Sequence, residues 1–330
     1  MLTLYKSRIK NAISVLLLIA IVAISVATTT VTYLFKQGPL SEDISIVITK
    51  GTSSLEIGKL LTEKNIVTNA YLFWLFSKLL YNNKIYYGEY KFIKNSTLAA
   101  ILETLINHKI IIRKITFPEG ITNFEVIRLL TENNILAGNI TAKYREGSLL
   151  PDTYQYIQGD SKQKILDLMQ NKMEIELNTL WEARQPNLPL QNKEEALILA
   201  SIIEKESGLE SEKTRIAALY INRLRRNMPL QADPTVIYAI TEGALFNRKL
   251  TKSDLKKISP FNTYVNKGLP PTPICNPSKT SIKAVLNPVK TDEIFMVATG
   301  SGGHNFSTKL VDHNQHVANY RRILKGAVKS

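Results

Sequence analysis

From Asn11 to Phe35 no charged residue interrupts the chain, and every position from Val15 to Ile24 is apolar. A helix of that length reaches about 36 Å at about 1.5 Å per residue, enough to cross a hydrocarbon core of about 30 Å with some tilt. Lys6, Arg8 and Lys10 precede the run, whereas only Lys36 follows closely before Glu42 and Asp43. That bias keeps the N-terminus in the cytoplasm and places the remainder outside. A cleaved signal peptide is the competing reading, with Ser25-Val26-Ala27 as its small-residue site, but the run exceeds the usual 7 to 15 or so apolar residues. The expectation is a retained anchor over residues 11–35 behind a basic tail at 1–10.

After the Gly38-Pro39 break the pattern becomes that of a globular protein. Ile44 to Thr49 reads as a strand, and Gly51-Thr52-Ser53-Ser54 supplies a turn and cap before Leu55, Leu60 and Leu61 at helical spacing. The same unit recurs: residues 48–67 align with 117–136, with Gly51/Gly120, Glu56/Glu125, Leu60/Leu129, Leu61/Leu130 and Asn65/Asn134 among the identities. Two copies fall short of the three or more that a solenoid requires, so the pattern predicts a pseudo-duplicated small α+β module over 40–140. Between the copies, Asn69 caps a helix carrying Tyr71, Phe73, Trp74 and Phe76, an aromatic stripe read as core in preference to a sugar-stacking face. Tyr87 to Phe92 alternates as a strand, and the helix Leu98 to Asn107 leads into the strand Ile110 to Phe117. Gly138, Gly147 and Pro151 mark a boundary near 138–150. Long helices follow over 163–184, 193–208 and 212–226, then a turn-rich last third in which Gly268 to Pro273 forms an extended segment of the kind usually kept for function. The class is α+β, ending in a mostly helical domain over 145–330.

Composition narrows the partners. With 44% hydrophobic and 21% charged residues among 330, the chain buries real cores and is not disordered. The single cysteine, Cys275, excludes an intrachain disulfide. A net charge of +14 favours anionic partners. Nucleic acid is set aside, because neither zinc-finger spacing nor a basic stripe interleaved with aromatics is present. An anionic lipid surface or an acidic polymer remains.

Candidate acids lie at the end of the helix 195–207, which closes Glu204-Lys205-Glu206-Ser207. At about 100° per residue, Ala196, Leu199, Ala200 and Ile203 form the buried face, with Glu204 and Glu206 flanking it on opposite sides. A carboxyl at such a rim is partly desolvated, its pKa rises, and it suits proton donation to a glycosidic oxygen. The blander reading is a solvated charge cluster, as most charge runs are. Asp152 and Asp233 each stand beside a proline in turn-like settings. His304, His313 and His316 cluster, but no third carboxylate or Cys completes a zinc site, so no metal and no cofactor is expected. Cys275 has no base nearby and reads as an ordinary small residue.

Six ordered segments resemble the YceG-like family of endolytic murein transglycosylases. They are residues 146–154 (EGSLLPDTY), 200–207 (ASIIEKES), 230–238 (LQADPTVIY), 262–264 (NTY), 268–271 (GLPP) and 302–306 (GGHNF), the last followed by His313-Asn314. The resemblance implies a membrane-anchored protein with a LysM-like module before a lysozyme-like catalytic domain that cuts peptidoglycan strands internally. Carried over by position, the catalytic glutamate is Glu206, the acid directly followed by Ser207. Substrate-binding positions fall on Ser207, Gln231, Asp233, Thr235, Tyr238, Asn262, Tyr264, His304, Phe306 and Asn314. The sequence departs from the family pattern at Thr272 and Ser278, where Gly is usual, and at Thr299, in place of an acid. The resemblance further implies work beside cell-wall synthesis proteins in the inner membrane. Two alternatives stay open: a non-catalytic peptidoglycan-binding scaffold and a hydrolytic muramidase.

Overall fold

The computed structural model describes residues 2–82 and 85–327. Met1 of the expected basic tail and residues 328–330 of the expected catalytic region lie outside the described residues. The fold mixes helix and sheet. Helix α1 (Leu2–Phe35) is one continuous rod, and residues 10–29 are exposed throughout, so the other described residues leave this apolar surface largely uncovered. Among the described residues it is the one helix long and apolar enough to cross a membrane, a candidate span. Its last turn is engaged by protein: Tyr33 and Leu34 pack on the core of the first unit, and the Tyr33 and Thr68 hydroxyls lie 2.7 Å apart.

Contacts divide the chain into two units, one running to Arg113 with residues 157–159, the other taking 114–156 and 160–330. In the first, β1 (Ile44–Ile48) is followed by α2 (Ser54–Glu63), α3 (Ala70–Tyr81), β2 (Gly88–Phe92) and α4 (Leu98–Ile106). β1 and β2 pair antiparallel with Ile46 opposite Tyr90. Alternation sends Ile46 and Ile48 inward, where they meet Ile57, Leu61, Phe73 and Leu102. The Asn69 side chain caps α3, accepting from the backbone N–H of Tyr71 and Leu72. Phe73 and Phe76 go to the core, as the pattern predicts, while Tyr71 stays exposed.

The second copy of the repeat belongs to the second unit. Its β3 (Arg113–Thr116) and α5 (Asn123–Glu132) match β1 and α2, and both helices start with a capping box: Ser53 with Glu56, Thr122 with Glu125. Reciprocal bonding of two otherwise orphaned N–H groups explains why this S/T-x-x-E signal recurs. Beyond α5 the copies diverge. No second helix follows, and β3 pairs instead with β4 (Thr153–Tyr156).

The rest of the second unit comprises α6 (Lys162–Glu182), α7 (Lys193–Glu206), α8 (Lys213–Arg225), α9 (Asp233–Thr241), α10 (Lys279–Leu286), the hairpin β5 (Phe295–Ala298) and β6 (His304–Ser307), and α11 (Leu310–Ala327). α7 is the central rod: every residue from 196 to 203 is buried, with α6, α8, α9 and α10 packed around it. The wheel's single buried face is therefore too narrow, because neighbours cover this helix on all sides. The segment after the Gly268 turn also differs from an open functional loop. Residues 273–278 are all buried, and Asn276 ties them in, accepting from Leu149 N–H and donating to the Ile121 carbonyl and Asn123 Oδ1. Gly147 is required by this packing. Its φ is +80°, and a Cβ there would lie 2.5 Å from Pro273 Cβ.

Candidate functional site

α7 ends because Ser207 takes an extended conformation (φ −136°, ψ 128°), and its hydroxyl accepts from Leu209 N–H at 3.0 Å. This stop leaves Glu206 at the C-terminal end of a buried helix, where the helix's partial negative charge disfavours a second one. The Glu206 carboxylate is taken largely out of water, and Oε1 accepts from the fully buried Tyr220 hydroxyl at 2.7 Å. Burial pushes its pKa up to about 7 and the Asp233 charge adds to this, against the Tyr220 hydrogen bond and the charges of His304 and Arg223.

Glu206 opens on a cleft of about 490 Å³ that also receives Gln231, Asp233, Tyr264, His304 and Asn314. These six of the eleven expected site residues are brought together. Asp233, the first residue of α9, accepts from the Tyr264 hydroxyl at 2.6 Å. His304 is oriented by Glu212, which accepts from its backbone N–H at 2.9 Å and meets Nδ1 at 2.8 Å. Burial raises the Glu212 carboxyl, but the two bonds from His304 outweigh it and hold the pKa below the usual value. A Cβ on Gly303 would sit 2.9 Å from Glu212 Oε1, so the glycine is what lets that carboxylate reach His304.

The other five lie outside the cleft lining. Ser207 stops α7. Thr235 is buried, bonded to the Ala232 carbonyl and the Thr263 hydroxyl. Asn262 donates to the carbonyls of Leu255 and Lys257 and accepts from Tyr264 N–H, which presents the Tyr264 side chain. Phe306 packs on the core beneath the Arg215 guanidinium, 4.3 Å from its ring centre. Tyr238 turns to a separate cavity, of about 240 Å³, with its hydroxyl 3.5 Å from Glu146. Glu146 is also pushed up to about 7 by burial, yet its carboxylate accepts from Asn123 N–H and caps α5, away from the Glu206 cleft.

Sequence reasoning missed Tyr220 and Arg223, which share one face of α8 at i, i+3 and reach the cleft from below. Arg223 is buried, donating to the carbonyls of Ile294 and Leu230. His313 also lines the cleft, stacked on Phe295 at 5.1 Å. Among the described residues, no three His, Cys, Asp or Glu side chains group as metal ligands, and His316 is engaged with the Ser307 hydroxyl.

The charge-cluster reading of Glu204-Lys205-Glu206 is corrected: only Lys205 is exposed. Glu204 pairs with buried Lys213 at 2.9 Å and accepts from Ser278 N–H at 2.7 Å and from its hydroxyl. Burial raises the Glu204 carboxyl, but those donors prevail and its pKa lies below the usual value. Ser278, a departure from the family pattern, thus serves Glu204 and caps α10. Asp152 is on the surface, paired with Lys172. Cys275 is buried, with its thiol on the Ser201 carbonyl and its pKa raised by burial. A larger cavity, of about 740 Å³, lies between residues 185–188 and 288–292, but Asp292 is its one described carboxylate and no histidine joins it.

The family model described as the YceG-like family matches residues 46–319. The endolytic murein transglycosylase of Bacillus subtilis is 35% identical over 234 residues, covering 70% of this chain and 59% of that protein. That of Streptococcus pneumoniae is 26% identical over 325 residues, covering 84% of this chain and 58% of the relative. The chain therefore spans less than two thirds of the length of these relatives. A crystal structure of a yceG-like protein from Listeria monocytogenes is similar at a TM-score of 0.50 and 28% identity, covering 83% of this chain and 99% of that one.

Proposed function

The chain belongs to the YceG-like family, and from that premise we propose that it is an endolytic lytic transglycosylase of peptidoglycan, with Glu206 as the single acid and base. The observation that carries this is the state of Glu206: desolvated, held by Tyr220, raised to about 7 and facing a polar cleft. A carboxyl of that pKa keeps its proton near neutrality, yet gives it up readily in a transition state. Glu206 protonates the oxygen leaving C1 of N-acetylmuramic acid, and the C1–O bond breaks. The resulting carboxylate takes the proton from the same sugar's C6 hydroxyl, whose oxygen closes on C1. The product is a 1,6-anhydro end, and Glu206 is protonated again. Gln231, Asp233, Tyr264, His304 and Asn314 bind the glycan; Ser207, Thr235 and Asn262 hold the turns that carry that surface, and Tyr238 and Phe306 stand apart from it.

The domain reading follows the same premise. The β-α-α-β order of β1, α2, α3 and β2 is LysM-like and holds glycan; the repeat at 40–140 continues into the lysozyme-like catalytic region 145–330. α1 is a single-pass anchor in the inner membrane with its N-terminus cytoplasmic, and cell-wall synthesis proteins work alongside. One observation favours a second reading, a hydrolytic muramidase: Asp233 shares the cleft and offers a second carboxylate.

Replacing Glu206 by Gln keeps size and hydrogen bonding but removes the acid, so turnover falls by about 100-fold or more with folding intact. Full glycan cleavage by that variant refutes the assignment, and a wild type that binds but never cleaves glycan indicates a scaffold. Resistance to alkaline carbonate checks the anchor; a soluble chain beginning near Thr28 restores the signal-peptide reading.

A further inference from the structure

We propose that α3 is a second membrane contact, its exposed face of Tyr71, Leu75 and Leu79 resting in the headgroup and upper acyl region of the anionic leaflet from which α1 emerges. This rests on the anchor reading of α1.

The depth of α3 follows from α1. Lys10 and Lys36 bound the uncharged run, and a hydrocarbon core of about 30 Å takes about 20 residues at about 1.5 Å each. Whether the core starts just after Lys10 or ends just before Lys36, it contains Ser25, Val26 and Thr29, in its outer part in the first case and from its middle outward in the second. Those three residues and Tyr33 share a cavity of about 280 Å³ with Leu72 and Phe76 of α3. The placement is fixed by the stacked rings of Tyr33 and Phe76, 6.2 Å apart, and by the Tyr33–Thr68 hydroxyl contact. α3 therefore reaches the level where α1 leaves the hydrocarbon or below it, and in neither placement stands clear of the bilayer.

Its surface suits that level. Tyr71, Leu75 and Leu79 recur at i, i+4 and i+8 as one stripe beside the Leu72–Phe76 face and away from buried Phe73 and Ser77. Tyr71 is 66% and Leu79 69% exposed, apolar surface that water would disfavour and acyl chains accept. No acid occurs on α3, and its one charge, Lys78, lies 5.4 Å over the Trp74 ring at the edge of the stripe. Tyrosine and tryptophan with a snorkelling lysine are the residues of a membrane–water interface. With two contacts, the first unit is held in one orientation on the bilayer instead of swivelling on α1.

The test uses the full-length protein carrying Leu79→Trp with Trp74→Phe and Trp181→Phe, which leaves one indole, in phosphatidylglycerol/phosphatidylcholine vesicles. The expected result is a blue-shifted emission that acyl-chain bromines quench, more strongly when they lie near the headgroup than near the bilayer centre. Leu79 is exposed, so the new side chain strains no core, and a Leu75→Trp version in the same background gives an independent second reading. Carbonate-resistant protein with an unquenched indole overturns the proposal while leaving the anchor intact. A blue shift without quenching does the same, and assigns the stripe to a protein neighbour. Release by carbonate overturns the anchor reading and this proposal with it.

Discussion

Glu206→Gln changes stability as well as turnover, and the sign of that change depends on pH. In the folded protein burial pushes the Glu206 pKa up to about 7 from the ordinary 4.5. The folded state therefore binds the proton more tightly than the unfolded chain, and stability is lost as pH rises from the unfolded to the folded value. At about 1.4 kcal/mol per pKa unit, the wild type carries a penalty of about 3 kcal/mol once Glu206 is ionised. Glutamine does not titrate and carries none. The difference in unfolding free energy, variant minus wild type, therefore increases by about 3 kcal/mol between about pH 4 and pH 8, because groups that do not face Glu206 cancel in the comparison. Urea unfolding in detergent micelles, followed by circular dichroism at several pH values, measures it. A difference that stays constant with pH would show that Glu206 is not desolvated as described, and the mechanism would lose its acid.

Other perturbations separate the two glutamates and the groups around them. Glu204→Gln breaks a buried ion pair and leaves Lys213 only the exposed Glu119, 3.7 Å away, as a carboxylate partner, so it costs about 3 kcal/mol of stability, while the folded fraction keeps its turnover; a stable but inactive variant would refute this division. Tyr220→Phe removes the hydrogen bond that holds the Glu206 pKa down, so the alkaline limb of the pH–activity profile moves to higher pH, and an unchanged limb would remove Tyr220 from that role.

Elements with strong periodicity or caps were legible in the sequence: α1, the capped starts of α2, α3 and α5, and the three long helices from 162 to 225. α9 was hidden because Asp233-Pro234 reads as a turn, although proline at the first helical turn is favourable. The β5–β6 hairpin was missed because strands of four residues carry little pattern. Within the candidate site, the place of Glu206 at the end of α7 was legible from the Glu-Ser stop, while its choice over Glu204 rests on the family resemblance, which the helical wheel alone did not supply. Tyr220 and Arg223 were not, since an arginine on a charged helix reads as surface. Its burial depends on the carbonyls of Leu230 and Ile294, the latter distant in sequence. The Glu204–Lys213 pair was invisible for the same reason: it needs the turn after α7 and the cap of α10 to converge.

The central claim is that one carboxyl cleaves the glycosidic bond by internal transfer, and mass spectrometry of glycan strands digested by the wild type and by Glu206→Gln tests it most directly. The account predicts new ends lighter by one water than a reducing end in the wild-type digest, and none from the variant. Glu206-dependent ends that carry the water would contradict it and assign the cleft, with Asp233 as partner, to hydrolysis.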